Sequence, residues 1–164
     1  MTGQGVPTMP VMDGYTLKVE PLACHIETEM APLFEGYFDE LVCYPRLSRI
    51  DLKASAEVYR DLEARDVLFW VSLRYGAALV GFVAMFVTRQ QHFGYVQAQS
   101  DMLYLAPAHR RGNLALRLID FAECAARVRG CQIVSWGAKQ GTQAAELFAR
   151  LGYLAQDVYY TKGL

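Results

Sequence analysis

The segment from Leu103 to Ala115 constrains the fold of this chain more than any other, because it joins a strand to a helix through a short basic turn. Its sequence is Leu-Tyr-Leu-Ala-Pro-Ala-His-Arg-Arg-Gly-Asn-Leu-Ala. The first amides of a helix have no partner within the helix, and the helix dipole adds positive charge at that end. The turn is therefore suited to bind a phosphate group through its main chain.

The side chains of this turn suit the same anion. Gly112 leaves room for a phosphate oxygen, and Asn113 tolerates unusual backbone angles. Ala115 keeps bulk off the turn, while Arg110 and Arg111 add positive charge. An ordinary connection with two solvated arginines would contain the same residues, so the turn alone leaves both interpretations open.

Composition indicates a single compact domain. The chain has 164 residues, 53% of them hydrophobic, with 16 basic and 17 acidic residues. A chain of this size buries about two thirds of its unfolded surface. The balanced charge argues against a broad nucleic-acid-binding or membrane-binding surface. The longest apolar run, residues 77–86, is much shorter than the roughly 20 residues that span a bilayer, and no signal peptide is evident, so we expect a cytoplasmic protein.

The cysteines predict neither a metal site nor a disulfide framework. Cys24, Cys43, Cys124 and Cys131 lack Cys-x-x-Cys spacing and do not cluster with the histidines. We expect reduced, mostly structural thiols and no bound metal.

The hydrophobic periodicity predicts an α/β protein with helices on a central mixed sheet. Residues 1–13 have no periodicity and are interpreted as a flexible arm before one domain, residues 14–164. In chain order, the patterns predict strand 15–20, helices over 30–38 and 51–62, strands 67–74, 77–88 and 94–105, helix 112–129, strand 131–137, helix 144–151 and strand 153–162.

Two motifs give the chain a resemblance to the GNAT superfamily of N-acetyltransferases. The basic turn is similar to that superfamily's acetyl-CoA-binding motif, Arg-x-x-Gly-x-Gly/Ala: Arg110 and Ala115 match it, and Asn113 stands where glycine is usual. Residues 144–153, which end in Leu-Gly-Tyr, resemble its second signature. The resemblance implies a GNAT-like splayed sheet in the predicted element order and acetyl-CoA as cosubstrate.

The resemblance also implies how acetyl-CoA is bound. Main-chain groups around Leu103 and Leu105 would pair with the pantetheine arm as an added strand does. Amides of the basic turn would hold the diphosphate, and Lys139 would contact a phosphate or an acidic substrate group, unless it is only a surface charge. The predicted cofactor-binding residues are Leu103, Tyr104, Leu105, Arg110, Arg111, Gly112, Asn113, Leu114, Ala115 and Lys139.

Two polar groups that are common in the superfamily are missing. Many members have a tyrosine at the position of Phe148, where it protonates the departing thiolate, and an asparagine at the position of Gly141. Phenylalanine cannot donate a proton. Either another group takes this role, or solvent protonates the thiolate, or the protein binds CoA without turnover.

Three residues are candidates for acid–base catalysis. An amine that attacks a thioester needs a base. Asp101 lies two residues before Leu103, on the same face unless a bulge intervenes, and is the first candidate; pairing with a lysine or with bulged backbone is the structural alternative. His92 has a side chain suited to proton transfer at neutral pH, but its loop position is equally typical of a solvated histidine. Tyr160 would supply the missing hydroxyl.

The acceptor is expected between the first two helices and the hairpin. Glu35, Tyr37, Glu40 and Tyr59 would line that space or form an ordinary helix surface. The acceptor would be a primary amine on a small molecule, a peptide or a modified nucleotide, and the sequence also allows a homodimer. The alternative function is that of a catalytically inactive CoA-binding or interaction protein of the same fold.

Within the superfamily, the chain most resembles a subgroup encoded in bacteriophage genomes. The likeness covers most of the chain from the second helix onward. It rests on His92-Phe93, Asp101, residues 107–111, Lys139, residues 151–153 and the closing residues 159–162. It implies the host cytoplasm as the location of a phage-encoded protein.

Overall fold

A six-stranded mixed sheet forms the centre of the computed structural model, which describes residues 8–12, 14–40 and 52–159. Neighbouring strands are antiparallel, except that the last two are parallel. The predicted α/β class and mixed sheet are confirmed. In spatial and chain order the strands are β1 (Thr8–Met12), β2 (Tyr15–Val19), β3 (Leu68–Tyr75), β4 (Ala78–Arg89), β5 (Val96–Leu105) and β6 (Ile133–Ser135).

In the described part of the chain, four helices accompany the sheet. They are α1 (Ala31–Glu40), α2 (Leu52–Ala64), α3 (Leu114–Val128) and α4 (Gln143–Arg150), and short 3-10 turns occur at Ala23–His25 and Pro107–His109. The two helices after the first predicted strand, and those after β5 and β6, are confirmed. No helix among the described residues is long and apolar enough to cross a membrane.

The core has two layers, one on each face of the sheet. Successive side chains of a strand point to opposite faces. Val71 and Val83 therefore pack with α3, whereas Trp70 and Phe82 pack on the other face with residues of α1 and α2. Because β3 and β4 are covered on both faces, their sequences are almost continuously apolar.

The two ends of the described chain differ from the sequence-based expectation. Thr8–Met12, assigned to a flexible arm, pair with β2 as an edge strand. This strand is short, contains Pro10 and is largely exposed, so it has no hydrophobic alternation to detect. The predicted final strand is wrong for residues 153–159, which have no regular secondary structure. Residues 160–162 lie outside the described part of the chain.

Candidate cofactor and acceptor site

The second half of β5 has one open edge. β5 pairs with β6 only over residues 97–99, whereas its pairing with β4 continues to Leu105. The Ala106 amide donates to the Val80 carbonyl at 2.9 Å, and this register turns the main-chain groups of Leu103 and Leu105 away from β4. These groups face the gap beyond the end of β6. This is the edge along which the family resemblance predicts that the pantetheine arm is bound.

The basic turn continues from this edge into α3. Gly112 has a φ of 56°, and no atom lies within 4 Å of the place that a Cβ would occupy. Asn113 precedes α3 without capping it, and its Oδ1 accepts instead from Arg117 Nε at 3.3 Å. No side chain caps the first amides of α3, and the Leu114 amide donates only weakly, to the Arg111 carbonyl at 3.4 Å. The amides of Arg110 and Arg111 donate within the turn, to the carbonyls of Pro107 and His109. Such an uncapped end suits an anion.

Arg110 connects the turn to α1. Its Nε donates to the carbonyl of Leu105 at 2.7 Å, and its Nη2 forms an ion pair with Glu40. Its guanidinium lies 5.5 Å from the ring centre of Tyr104. Arg110 thus already has partners, although about a third of its side chain remains exposed. The predicted lining residue Glu40, at the end of α1, thus pairs with Arg110 of the basic turn.

Arg111 connects the turn to β2 through Tyr15, a residue that the sequence analysis did not identify. Arg111 Nη2 donates to the Tyr15 hydroxyl at 3.0 Å, and the same hydroxyl is hydrogen bonded to His109 Nδ1 at 2.8 Å. Tyr15 is buried, and Tyr75 packs on it with ring centres 4.8 Å apart. The sequence signal for this role of Tyr15 was weak, because a tyrosine at the start of an alternating strand is usually only a core residue.

A β-bulge decides where Asp101 points. Ser100 lies opposite Met85 and Met102 opposite Ala84, so Asp101 is the extra residue between two paired ones. The Tyr59 hydroxyl on α2 donates to Asp101 Oδ2. Leu103, in contrast, packs into the core on the α3 side. The bulge therefore removes the condition under which Asp101 and Leu103 share a face.

Two phenols surround the Asp101 carboxylate. Burial, reinforced by the charge of Asp101, raises the pKa of Tyr37 to about 12. Burial first, then the charge of Asp101 and the hydrogen bond to it, raise the pKa of Tyr59 further. The Tyr59 ring is held edge-on against Trp70, with centres 5.2 Å apart. Both phenols are therefore protonated at neutral pH, and Tyr59 donates to the carboxylate.

Phe148 occupies an aromatic stack rather than a polar site. It is buried, stacks on Trp136 at 5.4 Å and meets the ring of Tyr153 at 5.3 Å. Glu123 accepts from both neighbours: from Trp136 Nε1 at 2.9 Å and from the Tyr153 hydroxyl. Burial and Glu123 raise the pKa of Tyr153. The phenol nearest to Phe148 is thus engaged by a carboxylate.

The structure separates His92 from Asp101. His92 is in the β4–β5 turn, where its amide donates to Gln90 Oε1 at 2.6 Å. Five residues of β5, about 17 Å, separate Val96 at that end from Asp101, so the structure does not bring the two candidate bases together. Lys139 lies between β6 and α4, where its carbonyl accepts from Thr142 Oγ1 at 2.7 Å. Tyr160 lies outside the described residues.

Comparison with known proteins identifies the family. The model of the acetyltransferase (GNAT) family matches residues 30–153. No curated protein matches the chain in sequence. Solved structures with a similar fold include a ribosomal-protein-alanine N-acetyltransferase of Brucella melitensis, with a TM-score of 0.69, 20% identity and coverage of 90% of this chain and 99% of that one.

Two further structures share the fold. An aminoglycoside acetyltransferase from an uncultured soil metagenomic sample has a TM-score of 0.71 and 19% identity, covering 92% of this chain and 98% of its own. A predicted acetyltransferase of Clostridium acetobutylicum, solved with acetyl-CoA, has a TM-score of 0.72 and 12% identity, covering 91% and 96%. The family match spans about three quarters of the 164 residues and includes the open edge of β5, the basic turn and Asp101. The chain therefore belongs to the GNAT family of acetyltransferases.

Proposed function

We propose that the protein transfers an acetyl group from acetyl-CoA to a primary amine by direct attack on the thioester. The observation that carries this proposal is the open edge of β5, which runs from the uncapped start of α3 to the carboxylate of Asp101. Family membership and the fold shared with an acetyltransferase that contains acetyl-CoA support the same cosubstrate.

In this proposal the cofactor is bound mainly by main chain. The diphosphate lies on the amides of the basic turn, which needs no side-chain ligand. The pantetheine amides pair with Leu103 and Leu105 along the open edge, as an added strand would. Arg110, Arg111 and Lys139 contribute positive charge around the phosphates.

The acceptor approaches from the side of α1 and α2. Asp101, on that side of β5 because of the bulge, accepts the proton of the attacking amine. The N–C bond forms, the C–S bond breaks, and the thiolate of CoA departs and is protonated. The amine and the thioester would therefore react beside Asp101, where the edge of β5 opens.

The acceptor class is a primary amine on a small molecule, with a peptide or a modified nucleotide as further candidates. The small-molecule class is supported by two similar structures described as aminoglycoside acetyltransferases, one of them in complex with sisomicin. A cytoplasmic location, in a host cell if the protein is phage-encoded, belongs to the same proposal.

One observation favours a second function, binding of CoA without turnover. Phe148 is buried in the Trp136–Tyr153 stack, so the position that often carries the proton donor has no polar atom. A protein that retained the cofactor edge but lost the donor would bind CoA and release no thiol.

Calorimetry with CoA and thiol-release assays with acetyl-CoA and a panel of amines separate these functions. We expect CoA binding together with thiol release on at least one amine. Asp101→Asn should lower kcat about 100- to 1,000-fold with unchanged CoA affinity, the range typical of a lost general base. Binding without thiol release on any amine supports the second function, and absence of CoA binding contradicts both.

A further inference from the structure

We propose that Asp101 performs both proton transfers of the reaction and that Tyr59 is the positioning residue that holds its carboxylate in place. This inference rests on the proposed function and deepens it. It accounts for the proton of the leaving thiol without a second acid.

The geometry begins with a hydrogen bond between two elements that are distant in sequence. Tyr59 on α2 donates its hydroxyl to Oδ2 of Asp101 on β5. Trp70, fully buried, fixes the Tyr59 ring from the side of β3. The phenol thus fixes one carboxylate oxygen, and we assign the other oxygen, Oδ1, to the substrate.

The position of Asp101 lets one carboxyl group reach both substrates. The bulge places it on the acceptor side of β5, while its main chain belongs to the strand whose edge opens immediately beyond β6. The amine arrives from the acceptor side, and the thioester lies at the end of the pantetheine arm on that edge. Both proton-transfer partners therefore meet at this residue.

The position of Phe148, where many family members have the tyrosine that protonates the thiolate, provides no proton donor here. Phe148 has no proton to give, and the hydroxyl of Tyr153 donates to Glu123. A carboxylic acid, in contrast, is a stronger acid than a thiol by about four pKa units, so transfer of its proton to a thiolate is strongly favourable. A carboxyl group that has just accepted a proton from the amine is thus already a competent donor.

The reaction balances with this single group. The amine nitrogen attacks the carbonyl carbon, the N–C bond forms, and the nitrogen loses one proton to Oδ1 of Asp101. The C–S bond then breaks, its electron pair goes to sulfur, and the proton moves from Oδ1 to the thiolate. The products are the amide and CoA thiol, and Asp101 is a carboxylate again.

Tyr59 and Tyr37 face Asp101 from α2 and α1, and both keep their protons during this cycle. Burial and the neighbouring carboxylate raise the pKa of each phenol. Only Tyr59 donates a described hydrogen bond to the carboxylate. Tyr95→Phe is the control for Tyr59→Phe, because Tyr95 precedes β5, stacks on Phe93 and belongs neither to the basic turn nor to the surroundings of Asp101.

The first test measures kcat and KM for both variants. Tyr59→Phe should lower kcat about 10- to 100-fold, as expected for a lost hydrogen bond to a charged group, with KM for acetyl-CoA within about twofold. A loss in kcat at unchanged KM is the split expected of a positioning residue, whereas a loss of packing would also raise KM. Tyr95→Phe should stay within about threefold of the wild type in both constants.

The second test varies the leaving group. Asp101→Asn is compared with the wild type on the acetyl thioester of N-acetylcysteamine and on S-phenyl thioacetate, whose more acidic thiol leaves without protonation. If Asp101 donates to sulfur, the deficit of Asp101→Asn should shrink about tenfold or more on the phenyl thioester. An equal deficit on both thioesters overturns the double role and leaves Asp101 as a base only.

The outcomes separate this inference from the proposed function. An active wild type with a wild-type-like Tyr59→Phe variant overturns the positioning role of Tyr59 alone. A wild type that binds CoA and acetylates no amine overturns the inference together with the proposed transferase activity.

Discussion

The proposed cofactor turn, which is the basic turn of residues 105–115, and the proposed acid–base cluster, Asp101 with Tyr59 and Tyr37, lie close together but are built in opposite ways. The turn is one continuous segment whose main chain provides the expected contacts, and side chains such as those of Arg110 and Arg111 hold it to the neighbouring elements. The cluster joins side chains from β5, α2 and α1, and Tyr59 and Asp101 are 42 positions apart in the sequence. A binding site made of main chain can thus be recognised locally, whereas a site made of side chains depends on packing.

The largest effect on this comparison is expected from Arg110→Glu. The substitution places a carboxylate beside the predicted diphosphate site and beside Glu40, so acetyl-CoA affinity should fall about 10- to 100-fold while the fold is retained. Calorimetry measures the affinity, and circular dichroism checks the fold.

A charge exchange between Arg110 and Glu40 separates two roles of Arg110, its ion pair to α1 and its positive charge beside the phosphates. Glu40→Arg added to Arg110→Glu restores an ion pair at the same place but not the charge that faces the phosphates. We expect no recovery of affinity. Full recovery would show that Arg110 acts by holding α1, and the turn would then depend on side-chain packing as the cluster does.

Gly36→Ala tests the packing of α1 on Tyr104, through which α1 contacts both the cofactor turn and the acid–base cluster. A Cβ at Gly36 would overlap the hydroxyl of Tyr104, which is buried and lies under Arg110. Although alanine is favoured in helices by about 1 kcal/mol, we expect a net loss of about 1–3 kcal/mol in the free energy of unfolding, measured in urea. Tyr104→Phe in the same chain should remove most of this loss, and a loss that persists would exclude the overlap as its cause.

Tyr15→Phe acts on the cofactor turn alone. It removes the hydroxyl that joins Arg111 and His109, so acetyl-CoA affinity should fall about 3- to 10-fold with kcat unchanged. Tyr75→Phe is the control, because the Tyr75 ring packs in the same place and its hydroxyl forms no hydrogen bond among the described residues. A drop in kcat would show that the two regions are coupled.

The smallest effect concerns alkaline pH and the acid–base cluster. The pKa of Tyr37 is raised from 10 to about 12, so above pH 10 the unfolded chain releases a proton that the folded protein keeps. The free energy of unfolding should therefore fall as pH rises above 10, by up to about 1.4 kcal/mol per pH unit for this group. Tyr37→Phe should show a shallower decline in urea unfolding between pH 9 and 11, and an unchanged slope would contradict the raised pKa.

Local patterns predicted most of the fold. The stripe of Leu114, Leu118 and Phe121 identified α3, and alternating or continuous apolar runs identified β2 to β5. The patterns failed where an element has no buried face of its own. The edge strand Thr8–Met12 is largely exposed, and residues 154–159 are all exposed, with Leu154 at 84%.

The candidate site was predictable to a smaller extent. The basic turn is recognisable in the sequence because phosphate-binding turns use contiguous residues, and its role in binding stays a prediction. The sequence indicates Tyr37 and Tyr59 only as residues that line the acceptor space and does not single out Tyr15, because each of the three depends on a partner far away in sequence.

The sequence alone determined the order of helices and strands and the turn that begins α3, because these follow from interactions between neighbours along the chain. Tertiary structure decided on which side of β5 the Asp101 carboxylate lies and what holds it. One extra residue in a strand reverses the alternation of side chains beyond it. That reversal depends on the register with β4, which no local pattern in β5 specifies.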